Sequence, residues 1–94
     1  MTVLAILDVR LRPESASEAL DVLDEVLVAT REFAGCLGVE VVVQADDPGH
    51  VLVLERWASM EADAAYRAWR ASEGSSPLTP YVLALAVTHF DPRG

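Results

Sequence analysis

Residues 51–69 read Val51-Leu-Val-Leu-Glu-Arg-Trp57-Ala-Ser-Met-Glu-Ala-Asp-Ala-Ala-Tyr66-Arg-Ala-Trp69. The apolar, β-branched opening predicts a strand that ends at Trp57. Ser59 is a favourable N-cap, and the acidic residues after it suit the positive end of a helix dipole. The apolar residues then recur at helical spacing on one face: Ala62, Ala65, Tyr66 and Trp69. The stretch therefore predicts a strand-to-helix junction with three aromatic rings close together, which is the best candidate for a site.

The rest of the chain predicts three further strands and a second helix around this junction. The strands are expected at residues 3–11, 39–45, 50–57 and 81–90, and the helices at 15–32 and 59–73. Ser15 and Glu18 predict a capping box for the first helix, and Gly74 predicts the end of the second. The turn signal Asp46-Asp-Pro-Gly49 predicts a hairpin between the second and third strands. The order β-α-β-β-α-β is typical of an α+β, ferredoxin-like fold with a four-stranded antiparallel sheet.

The composition indicates a single domain, residues 1–94, with more apolar residues than a small monomer easily hides. The chain is 52% hydrophobic, and short chains bury a smaller fraction of their surface than long ones. Both faces of the first and fourth strands are apolar, whereas two helices can cover only one face of a four-stranded sheet. We therefore expect a homodimer in which the uncovered sheet faces pack against each other.

Charge and cysteine content exclude several classes of function. The net charge is −8 and the chain has no lysine, so we expect neither nucleic-acid binding nor binding to an anionic membrane. The single cysteine, Cys36, excludes an internal disulfide framework. Cysteine and histidine do not occur at the spacings typical of metal sites, so we expect no bound metal. We also expect neither a signal peptide nor a membrane-spanning segment. The chain is therefore expected in the cytoplasm.

Two segments and the element order resemble a known family. Glu55-Arg-Trp-Ala-Ser59 and Phe33-Ala-Gly-Cys-Leu-Gly38 resemble the antibiotic biosynthesis monooxygenase family of dimeric α/β barrels, and the resemblance extends over residues 3–90. It implies a monooxygenase that oxidises a polycyclic phenol, an aromatic polyketide intermediate, to a quinone without any cofactor. A deprotonated phenol can pass an electron to O₂ directly if the protein excludes bulk water. The implied partners are a hydrophobic aromatic small molecule and O₂.

The chain departs from the family pattern at polar positions of the pocket. Quinone-forming members have asparagines at positions that correspond to Leu7 and Val53, and this chain contains no asparagine. A histidine common on the second helix is replaced by Tyr66. Haem-degrading relatives need Asn, Trp and His where this chain has Leu7, Tyr66 and approximately Ser76, so haem degradation is disfavoured. Two alternatives stay open: a non-catalytic dimer that binds a ligand or partner, and a polyketide cyclase or isomerase on the same scaffold.

Each predicted site residue also has a purely structural interpretation. The catalytic candidates are Trp57, Tyr66 and His89, and the substrate-binding candidates are Leu7, Val53, Trp57, Tyr66 and Trp69. Aromatic rings at helical spacing equally suit core packing. His89 is the histidine better placed for proton transfer, or else a hydrogen-bonded residue at a strand end. Glu55 is expected in an ion pair, and Arg67 and Arg70 are expected as solvated cations or cations at the pocket rim.

Overall fold

The computed structural model describes residues 2–73 and 76–93. The elements are strands β1 (Val3–Leu11), β2 (Cys36–Gln44), β3 (Asp47–Trp57) and β4 (Val82–Phe90), helices α1 (Ala16–Glu32) and α2 (Met60–Ser72), and short 3₁₀ helices at Pro13–Ser15 and Thr79–Tyr81. Their order and the antiparallel pairing of all four strands confirm the predicted ferredoxin-like α+β fold. The helix stop predicted at Gly74 lies outside the described residues.

The strand order in the sheet is β2-β3-β1-β4. β1 lies in the interior, with Leu7 opposite both Val53 of β3 and Val87 of β4. β4 therefore forms one edge of the sheet. It pairs with β1 alone, and it is exposed along nearly its whole length.

Both α-helices pack on the same face of the sheet. α1 buries a stripe at helical spacing, consisting of Ala16, Ala19, Leu23, Leu27 and Thr30. This stripe contacts an aliphatic cluster on β1 and β3 that includes Val9 and Val51. α2 packs near the other end of the same strands, where Tyr66 joins Val3, Ala5 and Trp57 in a second cluster. The helices thus cover the centre of the sheet and leave β4 exposed.

The predicted N-cap is confirmed for α2 and is wrong for α1. The Ser59 side chain accepts a hydrogen bond from the Ala62 backbone N–H at 3.1 Å, as expected of an N-cap. Ser15 makes no side-chain capping bond, because it belongs to the 3₁₀ helix that leads into α1 and is not extended. The hairpin turn falls at residues 45–46, since Gln44 already pairs with Asp47. The predicted turn signal therefore overlaps the start of β3, where Asp47 Oδ1 accepts from Gly49 N–H at 3.1 Å.

The sheet face turned away from the helices is largely apolar. Its central side chains, half-buried in the single chain, are Leu4, Ile6, Leu52 and Leu54. Phe90 of β4 pairs with Leu4 and is 48% exposed. Within the part of the chain that the structure describes, no helix has the length and hydropathy needed to cross a membrane.

Candidate functional site

Four aromatic rings meet where β3 joins α2. The Trp57 and Tyr66 ring centroids lie 4.9 Å apart, and Phe33 packs edge-on against Tyr66 at 5.3 Å. Trp69 completes the cluster, with its ring centroid 5.5 Å from that of Phe33. Trp57 is 0% exposed and Tyr66 is 3% exposed. These rings fill the space between α2 and the sheet, so the junction itself is packed core.

A cavity of about 470 Å³ lies beside this cluster, on the same face of the sheet. Aliphatic side chains from α1 and three strands form most of its wall: Leu7, Leu23, Leu27, Val53, Leu85 and Val87. The loop and 3₁₀ helix before β4 close one side, through Leu78 and Thr79. The cavity opens here because neither helix lies over β4, whose Leu85 side chain is 56% exposed.

One side of the cavity carries the polar groups Glu55, Tyr66, Arg67 and Arg70. The Tyr66 hydroxyl lies 2.5 Å from Thr30 Oγ1 and accepts a hydrogen bond from Arg70 Nε at 2.7 Å. Arg70 Nη2 also donates to Thr30 Oγ1 at 3.1 Å and to the Val26 carbonyl at 2.8 Å. Arg70 therefore joins α2 to α1, and the Tyr66 hydroxyl is satisfied within the protein. The Tyr66 ring remains available as a wall.

Two buried carboxylates form a polar network next to Tyr66. Arg67 Nη2 donates to Glu55 Oε1 at 2.6 Å and to Asp63 Oδ1 at 3.0 Å, while both carboxylate side chains are at most 3% exposed. Trp57 Nε1 donates to the same Glu55 oxygen at 3.2 Å. His89 Nε2 lies 2.8 Å from Asp63 Oδ2, which ties β4 to α2. The ion pair expected for Glu55 is thus present.

Of the two positions expected for Arg67 and Arg70, solvated or at the pocket rim, the solvated one is wrong, because both residues are half-buried and line the cavity. The Arg67 side chain is only 27% exposed, because a buried carboxylate is stable only with a charged partner or several hydrogen bonds. The guanidinium of Arg70 packs over the Trp69 ring, at 4.9 Å from the ring centroid. Both arginines are structural members of the polar side of the cavity.

The structure separates the predicted site residues into two groups. Leu7, Val53 and Tyr66 line the cavity. Trp57, Trp69 and His89 are not among its lining residues; Trp57 and Trp69 pack behind Tyr66, and His89 binds Asp63. Their roles in binding or catalysis stay predictions.

The sequence did not reveal that Thr30 and Arg70 both bind the Tyr66 hydroxyl. The available signal was a polar threonine on the buried stripe of α1, because a buried hydroxyl needs a partner. Metal binding is a separate question. Within residues 2–73 and 76–93, no group of three or more His, Cys, Asp or Glu side chains is arranged to hold a metal ion.

Comparison with known proteins gives a family match and close structural likeness. The model of the family described as antibiotic biosynthesis monooxygenase matches residues 2–76. Rv0793 from Mycobacterium tuberculosis is 25% identical, with a TM-score of 0.76 over 100% of this chain and 97% of that one. No curated protein matches this chain.

Two further structures are more distant in sequence. A protein described as an antibiotic biosynthesis monooxygenase is 24% identical, with a TM-score of 0.77 over 100% of both chains. Protein SO0527 from Shewanella oneidensis is 19% identical, with a TM-score of 0.80 over 95% of this chain and 88% of that one. At this level of identity the two structures show a shared fold.

Proposed function

The chain belongs to the antibiotic biosynthesis monooxygenase family, and we propose that it oxidises a polycyclic phenol, such as an aromatic polyketide intermediate, to a quinone with O₂ and no cofactor. The observation that supports this proposal is the cavity of about 470 Å³ with mainly aliphatic walls beside Tyr66. A flat aromatic molecule suits a concave apolar site with a few polar groups on one side. The apolar side chains of these walls also remove water from the part of a ligand that they contact.

The proposed reaction needs only the substrate and O₂. The phenol loses a proton, and the electron-rich phenolate passes one electron to O₂. The resulting radicals join at the ring carbon opposite the phenolic oxygen as a peroxide anion, which takes back one proton and becomes a hydroperoxide. Loss of one water molecule, which takes the remaining hydrogen of that carbon, leaves the quinone. The protein must therefore bind the ring system, favour the phenolate and keep bulk water out.

Specific residues of the cavity suit these tasks. Leu7, Val53 and the Tyr66 ring contact the substrate in this proposal, and Trp57 and Trp69 hold Tyr66 from behind. Glu55 is the carboxylate that lines the cavity and is the proposed proton acceptor. Its Oε1 accepts from Arg67 and Trp57, whereas its Oε2 accepts no hydrogen bond from a described residue.

His89, which is 34% exposed in its side chain and bonded to Asp63, is the proposed route for protons between this network and solvent. Asp63 and Glu55 share Arg67 Nη2 as a hydrogen-bond donor, so the two carboxylates belong to one network. Because the Arg67 guanidinium cannot relay a proton, the proposed proton exchange with solvent involves only Asp63 and His89 of this network.

A second candidate function is favoured by the two aliphatic positions. Leu7 and Val53 both line the cavity, and neither side chain can hydrogen-bond to a phenolic oxygen as an asparagine would. A dimer that binds an aromatic ligand or a partner without turnover, or a cyclase that needs no O₂, would tolerate this lining.

We also propose that the protein is a cytoplasmic homodimer. The support is the apolar face opposite the helices, where Leu4, Ile6, Leu52 and Leu54 have no helix above them. An obligate dimer would show a melting temperature that rises with protein concentration. Sedimentation as a monomer at micromolar concentration would contradict the dimer.

The decisive experiment is O₂ uptake by purified, metal-free protein with a panel of anthrols and related phenols. Quinone formation above the rate of spontaneous oxidation in protein-free buffer is the expected result. Tryptophan fluorescence quenched by the same compounds without O₂ uptake would favour the binding protein or the cyclase. A new product formed without O₂ would identify the cyclase.

A further inference from the structure

We propose that the ligand of this cavity carries a carboxylate that binds Arg70, so that the site selects anionic aromatic molecules over neutral ones. This inference takes the cavity as the ligand site, as the proposed function does. It adds a charged group, separate from the reacting phenol, to the substrate class.

The hydrogen bonds of Arg70 go only to neutral partners. Nε donates to the Tyr66 hydroxyl, and Nη2 donates to Thr30 Oγ1 and to the Val26 carbonyl. Among the described residues no carboxylate forms a salt bridge with Arg70, whereas Arg67 and His89 occupy the two buried carboxylates nearby. Arg70 is therefore a half-buried cation that lines an apolar cavity without a direct anionic partner.

The remaining donor group of Arg70 is free to bind a ligand. Nη1 makes no hydrogen bond to any described residue. It is also not one of the buried atoms that lack a partner, so part of its surface is accessible. On the same side of the cavity, Arg67 Nε is buried and has no partner in the described part of the chain. Arg70 Nη1 is thus an accessible, unpaired guanidinium donor on a residue that lines the cavity, where the low local dielectric strengthens attraction to an anion.

The free N–H groups of Arg70 belong to one nitrogen, Nη1, and they suit an ionised oxygen acceptor such as a carboxylate. A hydrogen bond between a guanidinium and a carboxylate is charge-assisted, and it is shorter and stronger than a bond to a neutral acceptor. Tyr66 and Trp69 hold the guanidinium of Arg70 in place, at 5.3 and 4.9 Å from the ring centroids. A carboxylate at this end would orient the ring system along the aliphatic walls.

The test compares anthracene-2-carboxylate with anthracene-2-carboxamide, a neutral molecule of nearly the same shape. Titration calorimetry on the full chain measures both dissociation constants. Because hydrogen bonds to charged groups contribute about 1.5 to 3 kcal/mol, we expect the carboxylate to bind about 10- to 100-fold more tightly. The preference should shrink as salt concentration rises.

Substitutions test whether Arg70 causes the preference for the carboxylate probe. Arg70→Gln should bind the two probes equally, and Arg70→Lys, which keeps the charge but loses the planar donors, should show an intermediate preference. Arg93→Gln removes the same charge from the exposed C-terminal segment and should keep the full preference. Far-ultraviolet circular dichroism checks that each variant is folded, and the wild-type comparison at several salt concentrations needs no variant.

Equal affinity of the wild type for both probes would overturn this inference and leave the proposed oxygenase intact, because a neutral phenol could still enter. A preference that survives in Arg70→Gln would also overturn it, since the charge would then act elsewhere. Binding of neither probe would overturn the inference together with the assignment of the cavity. O₂ uptake with neutral anthrols tests the proposed function separately.

Discussion

The aromatic cluster and the cavity share Tyr66 as a common wall, yet they are opposite kinds of environment. In the cluster, Trp57 is 0% exposed and its ring centroid lies 4.9 Å from that of Tyr66. In the cavity, a space of about 470 Å³ is bordered mainly by aliphatic side chains such as Leu7 and Leu85. The aromatic residues that the sequence marks as a candidate site are packed in the core, and the space for a ligand lies next to them.

The difference follows from the position of the two regions relative to the helices. The cluster lies under α2, where rings of β3, α2 and the end of α1 fill the gap between layers. The cavity lies beside the edge strand β4, which no helix covers. Packing density is therefore decided by what lies above a side chain, and hydrophobic character alone does not distinguish a core from a pocket.

The largest effect is expected from truncating the centre of the cluster. Trp57→Ala should lower the free energy of unfolding by about 3 to 5 kcal/mol, because a large cavity is left where no side chain can collapse and the Glu55 carboxylate loses a donor. Urea denaturation measures the change. A loss below about 1 kcal/mol together with weaker binding of anthracene-2-carboxylate would show that Trp57 is a ligand wall, contrary to the packed-core interpretation.

A smaller loss is expected at the turn that supports the cluster. Gly35 has φ of +91°, and an added Cβ would lie 2.5 Å from Ala62 Cβ. Gly35→Ala should cost about 2 to 4 kcal/mol, from the left-handed backbone and the steric overlap. Gly38→Ala is the control, because an added Cβ there meets nothing within 4 Å. Equal melting temperatures for the two variants would contradict the tight contact between this turn and α2.

Filling the cavity should affect binding and leave stability nearly unchanged. Leu85→Trp places a large ring in the cavity from the exposed strand β4, so we expect the affinity for anthracene-2-carboxylate to fall at least tenfold, about 1.4 kcal/mol. Val28→Trp, on the exposed face of α1, should change neither quantity. Unaltered affinity in Leu85→Trp would mean that aromatic ligands bind elsewhere.

The smallest effect concerns the segment that closes the cavity. Tyr81 donates a hydrogen bond to Glu18 Oε2 at 2.9 Å, and this bond raises the pKa of the Tyr81 phenol above its ordinary value of 10.0. Because the folded-state pKa is raised, the stabilising contribution is present below pH 10 and is lost as the pH rises through the raised value.

Ultraviolet titration of the two tyrosines measures this shift, with Tyr81→Phe to identify the signal of Tyr81. Glu18→Gln should lower the pKa of Tyr81, whereas Glu14→Gln, one turn earlier in the chain, should not. An unchanged Tyr81 titration in Glu18→Gln would show that the contact between α1 and this segment does not form in solution.

The sequence predicted the part of the site that depends on residues close together in the chain. Ser59 caps α2 as predicted because its partner, the Ala62 N–H, lies only three residues away. Tyr66 lies on the buried stripe for the same reason, since helical periodicity is local. The failure at Ser15 is also local in origin, because a 3₁₀ turn that begins at Pro13 replaces the extended backbone that a cap requires.

The amino-acid sequence by itself determined the element order, the apolar faces of the strands and the net charge of −8. Only the tertiary structure decided which groups meet: Arg70 reaches Val26 and Thr30, 44 and 40 residues away, and Arg67 reaches Glu55, 12 residues away. Likewise, the cavity depends on β4 taking the edge next to β1. Periodicity encodes the direction in which a side chain points, but its neighbours depend on the arrangement of distant segments.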